Sequence, residues 1–544
     1  MIDLRMELKK IDDKAALFND YIYNFSRVKE FFQWDPGVEM IQCLDERRSG
    51  YQNRETVVKP LLDQNKRWNA SQKSLDNIEK LADERTLAVV TGQQAGIFGG
   101  PLYTVYKIIH CLKLANYFKT IYKNYYFVPV FWMEVGDSDY QEINHVQYLS
   151  IQNELVRLSV PEKEGDKRSI YLRNIPDDIN ELLRNMENIF PQNEFRDKLI
   201  ANLKHIYSPG KSFSNAFAEW LHHLFKDSGL IIIDPMDVEF AKLSRPLYTQ
   251  AIEEHQKIQK SFQENSEQIK RTGYTPQVIL SPQQTLLFYR LEDGSRVRLD
   301  FEDQKFTTHS GNSEESFSKD FILGEIENDP AKFTPNVLFR PLIQDWLLPT
   351  AAYIGGPGEI SYAAQLKNLY IIFRVSAPYF IPRMRLTLIE EKIQKTIDKL
   401  GIDTEALFFA SEKMIENHVD KHTDPRIKNL MTEIQENFSV KMDQLGKILI
   451  EADPTLESSI KKTSQNILDS LQRLENKATI AYERLIQTEI NQIKKVLMNL
   501  QPNKFPQERV FNIYQYLFKY GPDLISSLYE VVNPETLDHQ IVYF

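Results

Sequence analysis

Between residues 89 and 109 the chain reads VVTGQQAGIFGGPLYTVYKII: an apolar, β-branched run, a turn holding four glycines, then apolar residues at helical spacing. No other feature narrows the possible folds so far. Residues 87–91 end at Gly92 as a buried strand would, and 102–118 follow Pro101, a residue suited to the start of a helix. The order recurs. Residues 126–133 form a second apolar run, and 213–225 predict a helix before the short run 230–233 and Asp234-Pro235. Alternation of this kind predicts crossover units on a parallel sheet, the α/β class. Such sheets bind ligands beyond the carboxyl ends of their strands. That rule places 92–100, 134–145 and 234–237 on one rim.

The rest of the chain divides around this core. Residues 1–80 are polar and helical in pattern, anchored by Phe31, Phe32 and Trp34. The core is expected over 81–385, with insertions near 150–210 and 275–330. Within them 152–184 and 278–308 have the pattern of short strands, and LFYRLEDGSRVRLD (287–300) alternates about Gly294 as a hairpin does. Over 386–505 glycine nearly vanishes. Ile460, Ile467, Leu471, Leu474, Ala478, Ala481 and Leu485 are spaced 7, 4, 3, 4, 3 and 4 apart, an a/d seam. Ile427, Leu430, Ile434, Phe438, Met442, Leu445 and Leu449 form a less regular stripe, and Asp453-Pro454 breaks the chain between them. An antiparallel α-helical coiled coil is expected, its second face meeting a twin in a two-fold homodimer. The alternative is an ordinary helical domain. Residues 506–544 regain aromatics (Tyr514, Tyr516, Phe518, Tyr520) and are expected to return to the core.

Composition excludes several classes. At 544 residues, 42% hydrophobic and 26% charged, the chain suits two or three folded domains. Its net charge of −10 argues against a general nucleic-acid or acidic-membrane binder. There is no run of about 18 apolar residues, and MIDLRMELKKIDDK lacks the apolar centre of a signal peptide. A cytoplasmic protein without membrane partners is expected. Cys43 and Cys111 stand alone, which excludes a disulfide scaffold and suits small buried hydrophobes.

Four stretches could carry chemistry. In the first, Thr91, Gly92, Gln93, Gln94, Gly96, Gly99 and Gly100 offer close backbone approach and free N–H groups at a helix start, an anion cradle. Tyr103, Tyr106 and Lys107 follow on the first turns of the helix. The spacing is neither G-x-G-x-x-G nor a Walker loop, so a tight packing turn is the competing reading. The second, FWMEVGDSDYQEINH, crowds Glu134, Asp137, Asp139, Glu142 and His145 at a strand end. These could hold magnesium, bind an amine or act as bases, with Asp137, Asp139 and His145 the catalytic candidates. In the third, Arg340, Gln344 and Asp345 precede Gly355-Gly356-Pro357-Gly358 and Glu359, a capped core loop or a second wall to the same pocket. The fourth, APYFIPRMRLTLIE, sets Arg383 and Arg385 where they could grip a carboxylate or phosphate, or form surface ion pairs.

Taken together, VTGQQAGIFGGPLYTVYKI, FWMEVGDSDYQEINH, FRPLIQDWLLPTAAYIGGPGEISYAAQLK and PYFIPR resemble the bacillithiol biosynthesis cysteine-adding enzyme family, and the resemblance spans the chain. It implies a Rossmann-like core with connecting insertions and a dimerising coiled coil. It also implies a ligase that joins cysteine to glucosaminyl malate through an amide, the last step to bacillithiol. Activating a carboxylate for that step needs an anhydride donor, so ATP, with Mg2+ where phosphates are involved, is the expected cofactor. Where the family motif reads E-D-H-D, this chain has Gly136-Asp137-Ser138-Asp139. The competing assignments are a nucleotidyl transferase or adenylate-forming enzyme of another pathway, and a coiled-coil scaffold with a degenerate core.

Overall fold

In the computed structural model, residues 5–9, 15–35, 40–310, 313–409 and 413–544 are described. Of the N-terminal stretch used to exclude a leader, residues 1–4 and 10–14 lie outside the described residues. Two compact units emerge: residues 1–388 with 506–544, and residues 389–505.

The first unit is built on five parallel strands: β1 (Thr86–Gln94), β2 (Tyr126–Glu134), β3 (Ile231–Ile233), β4 (Thr350–Gly355) and β5 (Tyr379–Pro382). Their order is β5-β4-β1-β2-β3. This is the first five strands of the Rossmann order, with the topological switch between β1 and β4. The strands are buried on both faces, which is why they read as continuous apolar runs. β1 runs three residues further than its apolar pattern suggests. Gly92, Gln93 and Gln94 pair in register with Trp132, Met133 and Glu134 of β2, so the turn opens at Ala95 instead of Gly92. Helix α1 (Leu102–Ile121) links β1 to β2, and α2 (Phe213–Leu224) precedes β3. α3 (Arg340–Leu347) leads into β4, and α4 (Pro357–Ala363) leaves it.

Helices Ala16–Tyr23, Met40–Gly50, Arg54–Arg67 and Gln72–Lys80 form the N-terminal segment. Phe31, Phe32 and Trp34 are buried, and the Trp34 indole donates to the Ala377 carbonyl at 2.8 Å. The second insertion is a five-stranded antiparallel sheet in which Gln284–Arg290 pairs with Arg296–Glu302 about Gly294. In the first insertion only His145–Leu149 and Leu155–Ser159 are strands. Residues 179–189, part of which the sequence pattern gives to strands, are helical, because Ile179, Leu182, Leu183 and Met186 bury one face at three- to four-residue spacing. At the chain end, α9 (Gln507–Val510) and the buried Tyr514, Tyr516 and Phe518 pack into this unit. Gln507 clasps Leu388: its side-chain oxygen accepts from the Leu388 N–H at 2.9 Å and its amide donates to the Leu388 carbonyl at 2.8 Å.

The second unit is helical. It contains α5 (Met414–His422), α6 (Pro425–Ala452), α7 (Glu457–Leu485) and α8 (Gln487–Leu500). α6 and α7 fold back on each other through a turn in which Asp453 accepts from the Thr455 N–H and hydroxyl. The a/d seam does not point one way. On α7 the half-buried row is Ile460, Ser464, Leu468, Leu471, Glu475, Ala478 and Tyr482, while Ala481 is exposed and Ile467, Leu474 and Leu485 are 39%, 57% and 79% exposed. On α6, Ile427, Met431, Phe438, Met442, Gly446 and Leu449 turn inward, with Gly446 against Ile460; Leu430, Ile434 and Leu445 are exposed. The inward rows advance mostly by fours. A 3.5-residue heptad drifts off such a row, which corrects the single-seam reading.

Candidate active site

At the switch point the carboxyl ends of β1, β2, β4 and β5 enclose a cavity of about 390 Å3. Three features bring its walls together. Gly92 lets β1 pass close to β2: a Cβ there would lie 2.8 Å from the Trp132 carbonyl. The GGPG turn after β4 starts α4, and Glu359 caps it by accepting from the Gly356 N–H at 2.7 Å. Arg383 leaves β5, where its side chain bonds the buried Glu508 at 2.6 Å and lies over the Tyr103 ring.

Lys107 is the central buried cation. It is 2% exposed, and its ammonium donates to the Gly92 carbonyl at 2.8 Å, Gln93 Oε1 at 3.1 Å and Glu359 Oε2 at 2.5 Å. Burial lowers its pKa against the pull of Glu359. Burial would raise Glu359, but Lys107, the Gly356 amide and the Tyr353 hydroxyl, which donates at 2.5 Å, hold it below its ordinary 4.5. Beside them Arg340 donates to Gln344 at 3.0 Å and to the hydroxyls of Tyr353 and Tyr362 at 3.3 Å each. Its Nε lies 3.8 Å from Glu134 Oε2. That oxygen is buried, and burial raises the Glu134 pKa even though Arg340 and the Trp132 indole oppose it. Arg296, from the second insertion, reaches Asp137 at 3.5 Å and the Thr334 hydroxyl at 2.9 Å. Counted along the wall, the cations are Lys107, Arg296, Arg340, Arg383 and Arg509, and the carboxylates are Glu134, Asp137 and Glu359. Glu508 neutralises Arg383 from behind the wall, so five cations meet four carboxylates, and the one positive charge left favours an anionic ligand.

The expected site residues separate into two groups. Gly92, Gln93, Gln94, Tyr103, Asp137, Arg340, Gly356, Gly358, Glu359 and Arg383 line the cavity, as does Lys107. Thr91 spends its hydroxyl on the Ile354 carbonyl, Gln344 and Gly355 support the wall from behind, and Arg385 donates to the Leu537 carbonyl. Asp139 is exposed ahead of a short helix and is not in the lining. His145 begins the strand that leads away; its Nδ1 faces the Gln141 carbonyl at 3.0 Å, and burial with Arg157 lowers its pKa. Residues 234–237 follow β3 on the same rim, with Met236 beside Gly136, but they are held by Gln64 of the N-terminal segment and do not line the cavity.

The glycine turn is the largest departure. Gly96, Gly99 and Gly100 do not line the cavity. A Cβ on Gly99 (φ +92°) would sit 2.2 Å from the Trp220 ring, and one on Gly96 would meet Gly100 at 3.0 Å. The Asn512 amide donates to the Phe98 and Gly100 carbonyls, and the Leu102 N–H at the start of α1 donates to the Phe511 carbonyl at 2.8 Å. The chain itself fills the place where a phosphate would sit.

Sequence reasoning did not single out Arg296, Tyr353, Tyr362 or Arg509 as site residues. They arrive from a hairpin, a strand interior, a helix and the chain end, and no local pattern marks them. Glu134 had a signal: it closes an apolar strand on the ligand side. The changed motif also has a local cause. A Cβ at Gly136 would come within 3.1 Å of the Met236 sulfur, so Met236 takes the room a side chain there would need.

Comparison with known proteins agrees with this architecture. Residues 4–384 match the family model described as bacillithiol biosynthesis BshC, N-terminal Rossmann-like domain, and 386–544 match its C-terminal coiled-coil domain. A Salinibacter ruber protein named "Putative cysteine ligase BshC" is 33% identical over 97% of this chain and 96% of its own length. Proteins of the same name from Chlorobaculum tepidum and a Geobacillus species are 31% and 30% identical, over 90% and 99% of this chain and 88% and 100% of theirs.

Proposed function

The chain belongs to the bacillithiol biosynthesis BshC family, and from that membership and the cleft we propose that it is a cysteine ligase. In this reading it forms the amide between the L-cysteine carboxyl and the amino group of glucosaminyl malate. The observation that carries the reading is the excess of cations lining one open cleft at the switch point, suited to a substrate with two carboxylates. Arg296 and Arg340 would bind and orient those carboxylates. Gln93 and Gln94 offer donors and acceptors to the sugar.

The amine must lose a proton before it attacks, and the electron pair of the broken acyl–oxygen bond leaves with that oxygen. Glu134 fits the role of base: it lines the cleft and burial raises its pKa. Asp137, tied to Arg296, helps to hold the amine. The acyl group needs activation. ATP would supply it when bound; the residues present fit its phosphates in the cleft, on Arg509 and Arg383, and not at the glycine turn. Glu134 and Asp137 each face an arginine, which does not suit a magnesium ion between them. The substrates are tested with purified protein, glucosaminyl malate, L-cysteine and ATP, following thiol products by mass spectrometry. Formation of bacillithiol supports the reading, and no product beyond the protein-free control sinks it.

We further propose that the outward row of the helical hairpin (Ile467, Leu474 and Leu485, with Leu430, Ile434 and Leu445) meets a second copy. Each such side chain gains roughly 1.5–3 kcal/mol when fully buried. Sedimentation equilibrium should give a dimer that dissociates in Ile467→Glu/Leu474→Glu with helicity retained. A wild-type monomer at micromolar concentration rejects the contact. Among the described residues no helix is long and apolar enough to cross a membrane.

A further inference from the structure

Two histidines and a glutamate meet within the helical unit. His418 and His422 are four residues apart on α5, so both rings leave one face of the helix; their centroids are 4.5 Å apart. Glu489 of α8 comes up to them. Its Oε2 is 2.6 Å from His418 Nε2 and 3.6 Å from His422 Nε2. One ligand atom from each residue lies within 4.8 Å of the others, the one such group among the described residues.

The hydrogen bonding of His422 matters most. Its Nδ1 lies 2.9 Å from the His418 carbonyl oxygen. A carbonyl only accepts, so that nitrogen carries the proton, and in the neutral ring Nε2 keeps its lone pair. That lone pair faces the Glu489 carboxylate at 3.6 Å, too far for a hydrogen bond even if Nε2 were protonated. In the neutral ring two electron-pair donors then meet, and either a proton on Nε2 or a bound metal cation removes that conflict; titration with Zn2+ separates the two. A carbonyl holding Nδ1–H is also the usual outer support of a metal-binding imidazole. Tetrahedral zinc with bonds of about 2.0–2.1 Å sets its ligand atoms roughly 3.3 Å apart, which small side-chain rotations reach from the distances found. Two imidazoles with one carboxylate select a borderline divalent transition ion over magnesium or calcium, which prefer oxygen. His422 is 41% exposed and leaves a side open for water.

We propose that His418, His422 and Glu489 form a binding site for a divalent transition-metal ion of the zinc class, tying α5 to α8 next to the start of the hairpin. The competing account is a His418–Glu489 hydrogen bond against which His422 merely packs. The test uses full-length protein freed of metal by a chelator, then titrated with Zn2+ against a chromophoric competitor, with Co2+ as a spectroscopic probe. Wild type should take up a Zn2+ ion that His422→Ala and Glu489→Gln each lose or bind about tenfold or more weakly, with far-UV circular dichroism unchanged. Bound Co2+ should show the intense visible bands of a tetrahedral site in wild type and not in the variants. Wild type that binds no Zn2+, or variants that bind it as wild type does, overturn the proposal. His422→Ala removes an exposed side chain, so loss of binding in a folded variant is not a folding effect.

Discussion

The glycines at 96–100 and those at 355–358 follow neighbouring strands of one sheet and stand before helices, yet they do different work. At the first, glycine makes room for the protein. The Trp220 ring lies where a Gly99 side chain would project, and Asn512 takes up the carbonyls of the turn. At the second, the Gly356 amide fixes Glu359, and Gly356, Pro357 and Gly358 remain on the cavity wall. A strand–glycine–helix order therefore reports that something approaches the backbone closely. Whether that is a ligand or the chain's own side chain is decided by residues far away in sequence, here Trp220 and Asn512 for one turn and Lys107 for the other.

The sharpest way to break this contrast is Gly99→Val. The Trp220 clash and a positive φ should cost more than about 4 kcal/mol and leave little soluble protein, read by expression and urea unfolding. A stable variant that has lost only ligand binding would make the first turn a cradle after all. Next is Glu359→Gln, which strands the buried Lys107 ammonium and should cost on the order of 3–5 kcal/mol. The folded pKa of Glu359 lies below its unfolded value, so its stabilisation is complete above about 4.5 and is lost as pH falls through the folded value. The gap between wild type and Glu359→Gln in denaturant midpoints should close on acidification through that window. Third, Glu134→Gln should fold normally and lower kcat by about 100-fold or more. A base must be unprotonated, so wild-type activity should rise with pH along a limb above the 4.5 of an ordinary glutamate, and the variant should lack that limb. The mildest change is Gly358→Ala. Its Cβ would meet only Gln277 Nε2 at 3.9 Å, so stability should hold within about 0.5 kcal/mol while KM rises. An equal loss of stability would erase the distinction between the two turns.

What could be read from the sequence follows from how local each signal is. The parallel core was legible because strands buried on both faces appear as uninterrupted apolar runs, and the hairpin about Gly294 because alternation survives on a half-buried sheet. Gln93, Asp137 and Glu359 were legible as strand-end polar residues, since the rim rule needs only strand direction. His145 was misplaced because the chain turns into an antiparallel strand at that residue, and nothing in the motif shows the turn. Arg296 and Arg509 reach the wall from a hairpin and from the chain's last forty residues. The split of the heptad residues was hidden because an a/d pattern shows that a helix has an apolar stripe, not how many neighbours share it.

The clasp of Gln507 on Leu388 has one more consequence. The first unit leaves off at 388 and resumes at 506, and a single amide side chain closes the gap by bonding Leu388 of the strand Arg385–Ile389 as a neighbouring strand would. The helical unit is thus a parenthesis in the chain, with both brackets fixed in the first unit. Heptads can be gained or lost inside it over evolution, or exchanged by an engineer for a short linker, without shifting any strand that carries the cleft. The length of the helical unit and the geometry of the cleft are then free to be selected separately.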